Sequence, residues 1–160
     1  MTHQGTDRDE TSTERLNRNW QDLLQELRVA QTGVQLLTGL LLTVPFQARF
    51  LELAAHHRVV YLVTVALSML ATGLLISPVV LHRVLFRQNA RAELVATAQL
   101  LALGGFAALG LAVVGVCALI FDVVLGLTAG ITAAVVVLVL LSLLWAVGPL
   151  VMRARARGHG

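Results

Sequence analysis

The sequence predicts an all-α membrane protein, with four transmembrane helices in an antiparallel bundle preceded by a juxtamembrane amphipathic helix. Three observations carry this. First, 57% of the 160 residues are hydrophobic and only 13% are charged, with mean hydropathy +0.79; soluble domains carry nearly twice that share of charge. Second, the apolar residues form four long runs of the length that crosses a bilayer. Third, the basic residues, all arginine, stand at the ends of those runs. The net charge of +3 therefore reads as membrane topology. Nucleic-acid binding is not expected, because it needs basic patches interleaved with aromatic residues.

Residues 1–13 lack apolar periodicity and are expected to be a disordered tail. No basic stretch with a short apolar core precedes the first span, so no cleavable signal peptide is expected. From Glu14 to Arg28, Leu16, Trp20, Leu23, Leu24 and Leu27 recur at helical spacing, as in an amphipathic helix leading into the membrane. Glu14 with Arg18, and Arg18 with Asp22, are four-residue ion pairs worth a few tenths of a kcal/mol each. Trp20 sits where an indole prefers the headgroup level. This helix is a plain juxtamembrane end or a docking helix for a cytosolic partner.

Span one is expected at about 29–46, ending near Pro45, which disfavours helix in the residue before it. At 100° per residue, Gln21, Gln25, Arg28, Thr32, Gln35, Gly39 and Thr43 fall in one sector of about 80°. This polar stripe is expected to face inward, as glue between helices or as the lining of a polar pathway. Residues 47–58 are expected to form a short external loop, with an interfacial turn carrying Phe50, Leu51 and Leu53. Span two is expected at 59–81, with Tyr61, Thr64, Ser68 and His82 on one side and a kink at Pro78. In the following loop Arg83, Arg87 and Arg91 recur every four residues. Spans three and four are expected at 94–121 and 123–152, with a tight turn at 121–126 helped by Gly126. Gly104, Ala108 and Ala112, and again Gly126, Gly130 and Ala134, repeat every fourth residue. That spacing lets helices approach closely in lipid, within the bundle or between copies. A basic tail, 153–160, closes the chain.

With four spans, both termini share a side with the 82–93 loop. That side holds ten arginines and the other holds Arg49 and Arg58. The positive-inside rule then predicts a multi-pass protein of the cytoplasmic (inner) membrane with both termini cytoplasmic.

The expected polar cluster near the cytoplasmic face comprises Gln25, Glu26, Arg28, Gln31, Thr32, Gln35, His82, Arg83, Arg87 and Glu93. Its basic members suit anionic lipid headgroups or an acidic partner; they also suit pairing with Glu26 or Glu93. Glu26, Glu93 and Asp122 are candidates for ion contact. The competing structural roles are a helix N-terminal anion for Glu93 and a cap on helix four for Asp122. No acid or base lies at mid-depth, where pumps usually carry one. Cys117 reads as a small buried hydrophobe. His56 and His57 have no cysteine or carboxylate at ligand spacing, so neither metal nor cofactor is expected. No P-loop, GxSxG, HExxH or CxxC motif is present, and no catalytic residues are expected. The chain is not expected to be an enzyme.

The segments DLLQELRVAQTGVQ at 22–35, VPFQARF at 44–50, SPVVLHRVLFR at 77–87 and FDVVLG at 121–126 resemble an uncharacterised family of short four-span membrane proteins common in actinobacteria. The resemblance runs from about Glu14 to Met152 and implies the fold and a membrane location. Some relatives of similar families carry a sodium:proton antiporter label. Secondary antiporters usually have more spans, inverted repeats and midplane carboxylates, and four spans would build such a site only by oligomerising. The expected role is thus an accessory or scaffold subunit of unknown biochemical activity, with a membrane-protein partner or a second copy. The alternative is a small ion or proton transporter or channel component.

Overall fold

The computed structural model describes residues 12–85 and 91–157, and within them the side chains of residues 18, 21, 25, 27–80 and 97–145. Four long helices follow one another: α1 (Ser12–Thr43), α2 (Ala55–Leu85), α3 (Arg91–Leu125) and α4 (Leu127–Arg157). Two short 3-10 turns, Val44–Phe46 and Ala48–Glu52, join α1 to α2. All four helices contain a stretch long and apolar enough to cross a membrane: Leu27–Phe46, Ala55–Val80, Thr97–Leu125 and Leu127–Trp145. The protein is a multi-pass membrane protein built as a helical bundle. The amphipathic segment expected to lead into span one is continuous with it, as the single helix α1.

The helix ends follow from local chemistry. Pro45 lies within the first 3-10 turn, where its missing N–H and fixed φ end the α-helix. Phe50, in the second turn, packs edge-on against Tyr61 of α2, with ring centroids 5.2 Å apart. The Tyr61 hydroxyl donates to the carbonyl of Leu41 at 2.9 Å, tying α1 to α2 beside the connection. Between α3 and α4 a single residue makes the turn. Gly126 has φ +92°, a left-handed conformation that other residues rarely adopt. Its N–H donates to the Asp122 carbonyl at 2.8 Å, and its own carbonyl accepts from Ala129 at 3.0 Å. Gly126 therefore caps α4, and Asp122 does not, because α3 continues one turn past it.

The central pair is α2 and α3, packed antiparallel. Close approach is set by glycines of α3. A Cβ at Gly105 would lie 2.8 Å from the Leu75 side chain, and one at Gly115 would collide with the Thr64 hydroxyl. Eleven residues separate Thr64 from Leu75 on α2, and ten separate Gly105 from Gly115 on α3, so the two contacts hold one register along the pair. Gly110 faces the other way: a Cβ there would lie 2.8 Å from the Trp145 ring of α4. Gly130 of α4 lies so close to α3 that a Cβ would meet Asp122 Cβ at 2.7 Å and the Ala118 carbonyl at 2.9 Å. The four-residue repeats of small residues thus serve packing within the bundle at Ala108, Ala112 and Gly130, all buried. Gly126 is used for its backbone instead.

Helix α1 rests on α2 with a lighter contact to α3, while among the described residues α4 packs on α3 alone. Leu27, Val34 and Leu41 of α1, spaced by sevens, are buried, with Leu27 and Val34 sharing a cluster with Ala71, Leu75, Ala102 and Ala108.

Candidate functional site

Helix α1 turns its polar stripe away from the other three helices. Gln21, Gln25, Arg28, Thr32, Gln35, Gly39 and Thr43 are all exposed. This corrects the inward-facing expectation. The physical reason is the Leu27–Val34–Leu41 row, which lies about 140° round the helix from the centre of the stripe and packs as a close-fitting apolar seam. Two stripe hydroxyls are satisfied within their own helix: Thr32 donates to the Arg28 carbonyl at 3.0 Å and Thr43 to the Leu40 carbonyl at 2.7 Å. Side chains of this kind need nothing else in lipid. Gln35 differs. It lies eight residues into the Leu27–Phe46 span, about 12 Å along the axis, and its amide has no hydrogen bond among the described residues.

Gln31, just off the stripe, is the one predicted cluster member that joins two helices among the described residues. Its Nε2 donates to the Leu75 carbonyl of α2 at 2.7 Å. Pro78 lies inside α2, where its missing N–H leaves the Leu74 carbonyl without a helical donor and its ring crowds that turn. Gln31 supplies a donor at the neighbouring carbonyl. The side chains of Glu26, His82, Arg83 and Glu93, and the whole of Arg87, lie outside the described residues, as do residues 1–11 and the side chain of Trp20.

The interior of the α2–α3 pair holds few polar groups. Thr64 and Ser68 are buried, and each donates to a carbonyl of its own helix, Val60 at 2.7 Å and Val65 at 2.9 Å. Among the described residues, no acidic or basic side chain lies between this point and Leu75. Cys117 is half-buried and free.

A second cluster lies at the end of the bundle where α2 begins and α3 finishes. His56 and His57 occupy the first turn of α2. The Nε2 atoms of both lie 3.3 Å from Oδ2 of Asp122. Asp122 is nine-tenths buried, His57 nearly so, and His56 is half exposed. The two rings lean together, with centroids 3.9 Å apart and planes inclined by 42°. Both nitrogens of His57 are buried, and neither makes an aligned hydrogen bond. The sequence alone hides this group because Asp122 lies 65 positions from His57 and no local spacing links them. Of the three ion-contact candidates, Glu26, Glu93 and Asp122, only Asp122 has a described side chain.

Neither a curated protein nor a solved structure matches the chain. The model of one family, described as a family of unknown function, matches residues 9–149. It spans all of the first three helices and most of the fourth, and with them both clusters. The chain is therefore a member of the family of unknown function DUF6328.

Proposed function

We propose that this protein is a non-enzymatic accessory or scaffold subunit of the cytoplasmic membrane. In this reading both termini are cytoplasmic and α1 receives a transmembrane helix of another membrane protein. One observation carries the reading: Gln35 presents outward, near the middle of span one, an amide without a partner among the described residues. An unmatched amide in hydrocarbon costs several kcal/mol, whereas a hydrogen-bonding side chain on a neighbouring helix removes that cost. A Cβ added at Gly39, one turn further on, would meet nothing within 4 Å, which leaves room for close backbone approach.

The occupant is a different protein rather than a second copy. Two copies in one membrane share orientation, so a two-fold pairing along the stripe sets Arg28 beside Arg28. A partner helix with an amide or hydroxyl at the depth of Gln35 and a carboxylate near Arg28 satisfies both. The arginine distribution supports the orientation.

Extraction of the native membrane into nanodiscs, with a photo-crosslinking residue at Gly39, tests the reading. The expected outcome is a covalent adduct with another membrane protein. Gln35→Leu is expected to reduce its recovery about threefold or more, from the measured range of interhelical hydrogen bonds, while Leu40→Ala, on another exposed face, leaves it unchanged. Adducts only with lipid or with a second copy, or recovery unaffected by Gln35→Leu in a folded protein, overturn it.

A further inference from the structure

We infer that His56, His57 and Asp122 form a binding site for a first-row divalent metal ion of the zinc class, held by His56 Nε2, His57 Nε2 and Asp122 Oδ2. The geometry comes from the helix pair. Seven residues, two turns, separate His57 from Thr64 on α2, and seven separate Gly115 from Asp122 on α3. The Thr64–Gly115 contact therefore sets Asp122 opposite His57. Gly130 of α4 closes against the Asp122 Cβ and limits where the carboxylate can turn. The α2–α3 register thus places the carboxylate where the two imidazoles converge.

The distances fit a metal better than they fit a hydrogen bond. Zinc bonds to imidazole nitrogen and carboxylate oxygen run about 2.0–2.2 Å, and a tetrahedron with such bonds has ligand–ligand edges of about 3.3–3.5 Å. Both nitrogen–oxygen separations are 3.3 Å, and each of the three residues offers a ligand atom within 4.8 Å of the other two. A hydrogen bond would be shorter and would point the N–H at the oxygen, but the His57 Nε2 is buried without an aligned partner. A metal at the centre engages that orphaned nitrogen and neutralises the buried carboxylate. Two imidazoles and a carboxylate suit zinc and its neighbours, whereas magnesium and calcium prefer oxygen ligands throughout. The half-exposed His56 leaves the fourth position open to water, giving the ion a way in.

A bound ion joins the first turn of α2 to the last turns of α3. The site lies at the end of the bundle away from Ser12 and Arg157, where α1 begins and α4 finishes, and it does not depend on any partner at α1. Its test is zinc binding by the full-length protein, carrying no polyhistidine tag, in detergent or nanodiscs. One equivalent of Zn²⁺ per chain and a raised unfolding temperature are expected, with no such rise in Mg²⁺. Co²⁺ in place of zinc is expected to give the visible absorption of a four-coordinate site. Asp122→Asn, which keeps the side-chain shape, and His56→Ala, at a half-exposed position, each lower the affinity about tenfold or more with helix content retained. No stoichiometric zinc in the unaltered protein overturns the inference. So does zinc that binds equally well to both folded variants, which places it at His3, His82 or His159 instead.

Discussion

Pro45 shows how one residue reaches across the bundle. Lacking an N–H, it cannot serve the carbonyl of Leu41 four residues earlier, and the Tyr61 hydroxyl donates to that carbonyl at 2.9 Å. Tyr61→Phe is therefore expected to destabilise the protein by about 0.6–1.5 kcal/mol, read from unfolding in bicelles or detergent. The loss should shrink when Pro45→Ala restores a backbone donor to Leu41, a coupling visible in a double-mutant cycle. Equal losses in both backgrounds would refute this pairing. The end of the helix at Pro45 was legible in the sequence, because proline chemistry is local. The donor was not, since twenty residues separate Tyr61 from Leu41. The same divide applies at His56 and His57, whose carboxylate comes from the far end of α3.

At the scale of elements, the sequence correctly marks four apolar runs and the small residues that let them pack. It misdirects the face of α1. A polar stripe in a membrane helix is ordinarily turned inward to avoid hydrocarbon. Here the apolar row at Leu27, Val34 and Leu41 fits the α2–α3 surface, and the stripe is left outside. Periodicity reports that two faces differ; packing decides which one is covered. The glycines of α3 make that packing testable. Gly115→Leu drives a side chain into Thr64 and is expected to cost about 1–3 kcal/mol, as overpacking does. A Cβ at exposed Gly39 meets nothing within 4 Å, so the effect of Gly39→Leu on the isolated protein's unfolding should be small. Equal destabilisation by both would contradict the assigned helix interface.

Across the whole molecule, the two clusters lie apart along α1 and at one end of α2–α3, which makes the two proposed roles independent of each other. The α1 stripe offers a lateral surface along the first span, while half-exposed His56 opens the otherwise largely buried cluster with His57 and Asp122 to water at one end of the bundle. Which water they face depends on orientation. Inserting the chain the other way would carry ten arginines outward in place of two, against the bias that sets topology in short-looped proteins. In the proposed orientation, a reporter fused after Gly160 is active in the cytoplasm. A cysteine placed at Leu51, four-fifths exposed in the α1–α2 connection, is then labelled in intact cells by a membrane-impermeant maleimide, in a Cys117→Ser background. The proposed metal site lies at that same end, so zinc supplied outside the cell should slow the labelling of a cysteine substituted for His56, whose thiolate takes the place of the imidazole as a ligand. The opposite labelling pattern, with Leu51 protected until the membrane is opened, would place the histidine cluster in the cytosol and overturn the orientation. It would leave the zinc stoichiometry of the purified protein unaffected.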